Sequence, residues 1–155
     1  MLRTLRYLLV IVATIASAPI FAREPAMQHA KGEFEVKLEV VSANEDIISR
    51  MTLDKKFSGD LVASSTGQMI SNSSKDMGTH VYVAIEKVTG TLAGKTGSFT
   101  LAHRGTMQRD SQQLSIIVVP DSGTDGLSGL NGTMTIDVDE NKKHFYAFDY
   151  TLPTP

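Results

Sequence analysis

The chain has 155 residues, of which 41% are hydrophobic and 21% are charged, and its formal net charge is −2. This length corresponds to one domain, and the small negative charge argues against a nucleic-acid-binding protein. The chain has no cysteine, which excludes a disulfide scaffold, thiol chemistry and thiolate metal sites.

The first 22 residues are predicted to be a signal peptide. Arg3 and Arg6 give a basic start, and the run Tyr7–Ala18 is apolar but too short to predict a transmembrane span. Cleavage is expected after Ala22, with cleavage after Ala18 and an uncleaved anchor as alternatives. Cleavage after Ala22 leaves 13 of the 15 basic residues against 17 acidic ones, a net charge of −4. The mature protein is predicted to be periplasmic or secreted, with no membrane attachment.

A flexible lead-in is predicted at residues 23–31, followed by a β-barrel domain at residues 32–152. In Glu33–Val40 every even position is apolar and every odd position is charged, which is typical of a strand with one face in water. Eight short strands with glycine-rich connections predict an all-β fold, a small antiparallel eight-stranded barrel. The seven further strands are predicted at Met51–Phe57, Gly59–Ile70, Val81–Val88, Gly97–Met107, Leu114–Val119, Met134–Val138 and His144–Leu152.

Glycine positions add detail to this prediction. The segment Val88–Phe99 contains three glycines and is predicted to form a hairpin. Glycines also recur at every third residue through the segment Asp121–Gly132. Two interpretations of that run stay open, namely tight barrel corners and a flexible loop.

Several short segments resemble known motifs, but none of them predicts a cofactor or a local metal site. Gly94–Thr96 resembles the end of a phosphate-binding loop, but Thr89 stands where that motif needs glycine. Asp137–Asn141 resembles the start of a calcium loop, but Lys142 stands where that loop needs glycine. The four histidines lack zinc-site spacing, so only a metal site assembled across strands stays open. The chain also lacks the Gly-x-Ser-x-Gly sequence of many serine hydrolases.

Two titratable residues lie on predicted inward faces. Glu86 shares a strand face with Tyr82, and His103 continues the apolar face set by Phe99 and Leu101. If both point inward on neighbouring strands, they form a candidate general acid/base pair. The alternative is that each lies at a barrel mouth or is a polar core residue with satisfied hydrogen bonds.

The last predicted strand has an aromatic face of four residues, from His144 to Tyr150. Aromatic side chains on an inward face favour contact with an apolar ligand. The residues predicted to bind a ligand are Tyr82, Glu86, His103, Tyr146 and Tyr150.

Four longer segments, Met51–Leu61, Tyr82–His103, Val118–Leu130 and His144–Tyr150, resemble a bacterial domain-of-unknown-function family, number 3224. The resemblance extends over roughly Gly32–Leu152. It implies a small eight-stranded barrel of the allene oxide cyclase type that is often dimeric, so a homodimer is a possible assembly. The family has no established activity, so no catalytic residues carry over, and the predicted signal peptide departs from the usual family pattern.

Three functional hypotheses follow. The first is a module that binds a small apolar or amphipathic ligand, because an eight-stranded barrel leaves room for side chains or one small molecule. The second, implied by the resemblance, is a cyclase or isomerase acting on a lipid-like substrate. In that enzyme Glu86 would be the base or charge stabiliser, His103 its proton partner, and Tyr82 or Tyr146 an orienting hydroxyl. The third is a structural or interaction protein with a fully packed barrel.

Overall fold

The structure is a computed structural model that describes residues 24–43, 48–72 and 78–153. The predicted signal peptide and its cleavage sites lie outside the described residues. Within these ranges, no helix has both the length and the apolar character needed to cross a membrane.

The described residues form a closed antiparallel barrel in which each of eight strands pairs with the next and the last pairs with the first. The predicted all-β, eight-stranded antiparallel barrel is confirmed. The predicted hairpin at Val88–Phe99 is also confirmed, with its turn at Ala93 and Gly94. The strands are β1 (Gln28–Ala43), β2 (Ile48–Gly59), β3 (Leu61–Asn72), β4 (His80–Leu92), β5 (Lys95–Gln108), β6 (Ser111–Val118), β7 (Asn131–Val138) and β8 (His144–Thr151).

The first strand begins earlier than the sequence pattern predicted. β1 starts at Gln28, within the predicted lead-in, and its first residues pair with β8 in the register Gln28↔Tyr150. This pairing closes the barrel through main-chain hydrogen bonds, which do not depend on an alternation of side chains. The sequence pattern therefore missed the start of the strand.

One end of the barrel, called here the closed end, is covered by the connection between β6 and β7. Leu127, within the short 3₁₀-helix Asp125–Leu127, and Leu130 are buried and complete the core at this end. The amide of Thr124 donates to the Ser98 carbonyl oxygen at 2.9 Å, which ties the connection to β5. The glycine run in Asp121–Gly132 was interpreted either as tight barrel corners or as a flexible loop. The packing of this connection fits an ordered barrel corner.

The predicted aromatic face of β8 points into the barrel and forms much of the apolar core. Tyr146, Phe148 and Tyr150 are buried, and the Phe148 ring stacks on Phe99 with a centroid distance of 5.9 Å. Burial of these large side chains is the main stabilising contribution to the closed half of the barrel. The opposite end, called here the open end, is filled less completely.

Candidate functional site

A cavity of about 370 Å³ occupies the open end of the barrel interior. All eight strands contribute to its lining, which is mostly apolar and includes Leu38, Leu53, Met69 and Leu114. The barrel interior is therefore not fully packed, and the structure gives no support to the hypothesis of a fully packed barrel. A lining of this kind suits a ligand with a large apolar part.

Four buried polar side chains, called here the Glu86 cluster, lie at the inner end of this cavity: Lys55, Ser65, Glu86 and His103. Nζ of Lys55 donates to Oε2 of Glu86 at 2.7 Å, and the Ser65 hydroxyl donates to Oε1. Nε2 of His103 lies 2.9 Å from the same Oε2, in a direction that is off the line of a good hydrogen bond. Both carboxylate oxygens of Glu86 are thus occupied by neighbours within the fold.

Small residues on β3 allow the Glu86 cluster to form. β3 lies between β2, which carries Lys55, and β4, which carries Glu86. The inward positions of β3 at this level are Ser65 and Gly67, and Gly67 is in register with Glu86. A Cβ atom at position 67 would lie 2.4 Å from the Ile85 carbonyl oxygen and 2.9 Å from the Glu86 Cα atom. Glycine is therefore required at position 67. Because Ser65 and Gly67 are small, the Lys55 side chain can extend across the inner face of β3 and contact Glu86.

The environment of Glu86 keeps its side chain ionised. Burial by itself raises the pKa of this carboxyl, but contacts with His103, Lys55 and Ser65 outweigh burial and lower the pKa from 4.5 to about 2. The Lys55 ammonium also lies over the rings of Phe34 and Phe57, at 5.0 Å and 5.7 Å from their centroids. The cluster therefore contains a balanced pair of buried charges, Lys55 with Glu86.

Tyr82 and His103 both line the cavity, and each keeps a polar atom without a partner. The Tyr82 hydroxyl makes no hydrogen bond to another described residue. For His103 the atom is Nε2, which is buried without a well-directed partner. The Tyr82 ring is held against β5 at Gly105, where a Cβ atom would lie 2.1 Å from the ring carbon Cε1. Burial, and then the negative charge of Glu86, raise the pKa of Tyr82, so its hydroxyl stays a neutral donor.

The five residues predicted to bind a ligand do not all lie at this cavity. Tyr82 and His103 line it, and Glu86 lies fully buried behind them. The structure does not bring Tyr146 and Tyr150 to the cavity, because both pack into the aromatic core. Alternation along β8 showed that these two side chains point inward, but not how far they lie from the open end.

Replacing Tyr146 with phenylalanine is expected to lower the free energy of unfolding by about 1–3 kcal/mol without changing the lining of the cavity. The Tyr146 hydroxyl accepts from the buried Leu61 amide at 2.8 Å and donates to the Ser58 carbonyl oxygen at 3.2 Å. Loss of the hydroxyl leaves that amide unpaired. Denaturant unfolding measures the effect, and Tyr150→Phe is the control, because the Tyr150 hydroxyl bonds only an exposed side chain. Equal stabilities of the two variants would contradict this role for Tyr146.

Lys55 was not predicted to be a site residue. Its signal was the interruption of the apolar face of Met51–Phe57 by a lysine. The small residues Ala63, Ser65 and Gly67 indicated space inside the barrel, but nothing in the sequence indicated that the Ser65 hydroxyl contacts a carboxylate. Across the ranges that the structure describes, no three His, Asp or Glu side chains are close enough together to hold a metal ion.

Comparisons with known proteins agree with the predicted family resemblance. A family model described as a protein of unknown function, DUF3224, matches residues 30–150. A crystal structure of a DUF3224 protein of unknown function from Shewanella oneidensis MR-1 is similar, with 41% identity and a TM-score of 0.77 over 84% of this chain and 100% of that chain. Among curated proteins, none matches. The chain therefore belongs to the DUF3224 family, whose function is unknown.

Proposed function

We propose that this protein is a barrel that binds one small apolar or amphipathic molecule in the cavity at its open end. The observation that carries the proposal is a mostly apolar cavity whose lining includes the polar side chains of Tyr82 and His103. Its volume of about 370 Å³ lies within the range of about 300–1,000 Å³ that is usual for small-molecule sites. The barrel has eight strands, and this number leaves room for one such ligand.

The lining suggests how a ligand would lie in the cavity. Apolar side chains such as Leu53, Met69 and Leu114 would contact the body of the ligand. Tyr82 and His103 would contact its polar end, since they are polar side chains in a mostly apolar lining. Burial of apolar surface would supply most of the affinity, and the two polar groups would fix the orientation.

Binding is tested with N-phenyl-1-naphthylamine, an uncharged probe whose fluorescence rises in apolar surroundings. Titration of the probe into the protein is expected to give saturable fluorescence with one site per chain. Replacing Leu114 with glutamate places a charge in the apolar lining and should weaken binding at least tenfold, or about 1.4 kcal/mol.

The matched control is Ile117→Glu, which introduces the same charge on the same strand but on the outer face of the barrel. This variant is expected to bind the probe as the wild type does. Absence of saturable binding to the wild type, or equal weakening by both variants, would contradict the proposed function.

A cyclase or isomerase with Glu86 and His103 as an acid/base pair stays the alternative, but no specific observation favours it. A general base works best when its pKa is close to the working pH. The low pKa of Glu86, about 2, and the occupation of both its oxygens suit a fixed counter-charge rather than a group that exchanges protons. Of the two roles predicted for Glu86 in such an enzyme, charge stabiliser fits these contacts better than base.

The proposed location is the periplasm or the exterior of the cell. It rests on the basic and apolar leader that ends at Ala22. An exported barrel without cysteine depends on its core for stability, and the chain is long enough to form one. The homodimer implied by the family resemblance stays a prediction.

A further inference from the structure

We propose that the cavity selects ligands whose polar end is an uncharged hydrogen-bond acceptor, such as a ketone, aldehyde or ester carbonyl, over the corresponding carboxylates. This inference rests on the proposed binding function and names the class of ligand for the same site. It follows from the charges at the inner end of the cavity and from the atoms that are left to bind a ligand there.

The charges at the inner end are already balanced. Lys55 is the one lysine or arginine among the described residues that line the cavity, and its ammonium is 2.7 Å from Glu86. Both side chains are almost fully buried, at 7% and 0% exposure. A ligand carboxylate at this place would put a second anion beside Glu86 without a second cation to offset it. Burial of an unpaired charge is strongly unfavourable.

The Tyr82 hydroxyl in the cavity lining is suited to a carbonyl oxygen. This hydroxyl is a neutral donor that makes no hydrogen bond to another described residue. A carbonyl oxygen has two lone pairs and no charge, so it accepts from the hydroxyl without disturbing the pair formed by Lys55 and Glu86. A purely apolar ligand would leave the hydroxyl without a partner.

The first experiment is competition against N-phenyl-1-naphthylamine by 2-decanone and by decanoate, which have chains of the same length. The competition is run at a pH of about 8, where a carboxylic acid such as decanoic acid is ionised. The wild type is expected to bind 2-decanone at least tenfold more tightly than decanoate. Tyr82→Phe should reduce this preference about fivefold or more, while Tyr150→Phe, whose hydroxyl lies outside the cavity lining, should keep it.

Glu86→Gln provides a second test, because it removes the anion and leaves the Lys55 ammonium without its counter-charge. This variant is expected to reverse the preference, with decanoate gaining at least tenfold relative to 2-decanone. Circular dichroism checks that the variant is folded. If it is not, the comparison of the wild type with Tyr82→Phe decides the question.

The outcomes separate this inference from the proposed function. If the wild type does not bind N-phenyl-1-naphthylamine, the proposed function fails, and this inference fails with it. If the probe binds but decanoate competes as well as or better than 2-decanone, only the inference on ligand class is overturned. Equal preferences in the wild type and Tyr82→Phe would likewise overturn the assignment of Tyr82 to the carbonyl.

Discussion

Replacing Lys55 with alanine is expected to lower the free energy of unfolding by about 3–5 kcal/mol, the usual cost of breaking a buried ion pair by removing one partner. The substitution leaves the fully buried Glu86 carboxylate without its cation at 2.7 Å. It also removes the contact of the ammonium with the rings of Phe34 and Phe57. Denaturant unfolding monitored by circular dichroism measures the change.

Two further variants make the test specific. Lys56→Ala removes the same type of side chain at the next, exposed position of β2 and should change stability by less than about 0.5 kcal/mol. Combining Lys55→Met with Glu86→Gln removes both buried charges and should recover a large part of the loss. If Lys55→Ala costs no more than Lys56→Ala, the buried pair does not contribute as described.

The fold was largely predictable because most strands have one solvent-exposed face, which produces an alternation of polar and apolar residues in the sequence. The alternation in Glu33–Val40 predicted the direction of each side chain. In the structure Phe34 is buried between exposed glutamates, whereas Leu38 and Val40, further along the strand, are exposed. The alternation of polar and apolar residues does not show where the main chains of two strands pair. The start of β1 at Gln28 depends on hydrogen bonds to β8, and these are the same for almost any side chain.

The site was only partly predictable, for a related reason. Period-two patterns place Glu86 and His103 on inward faces, and adjacency of β4 and β5 brings them together. The position of a residue along the barrel axis depends on strand register and on which end is closed, so Tyr146 could not be assigned to the core from its sequence neighbours. The partner of Glu86, Lys55, lies two strands away, and its approach depends on the glycine at position 67 between them.

The buried charges of the Glu86 cluster are not required for stability of a small barrel. An apolar pair of similar volume often stabilises a core as well as an ion pair does, because each charge loses its hydration on burial. The closed end of this barrel follows that rule, with Phe99 and Phe148 stacked in an apolar core. The polar cluster lies instead at the inner end of the open cavity, which is where a ligand-binding role would use it.

The ionised state of Glu86 also predicts a specific loss of stability in acid. The Glu86 carboxyl has a pKa of about 2 in the fold, against 4.5 as its ordinary value. The unfolded chain therefore takes up the proton at a higher pH than the folded chain does. The resulting contribution, about 3 kcal/mol, is complete above the unfolded pKa and is lost as the pH falls from about 4.5 through about 2.

Urea unfolding of the wild type and Glu86→Gln at a series of acid pH values measures this contribution. Between about pH 5 and about pH 2.5 the wild type should lose about 2 kcal/mol more than the variant, since glutamine has no proton to gain. Glu35→Gln, which removes an exposed carboxylate from β1, controls for a general loss of negative charge. Equal losses in the wild type and Glu86→Gln would mean that Glu86 is not held ionised by Lys55 and its other neighbours.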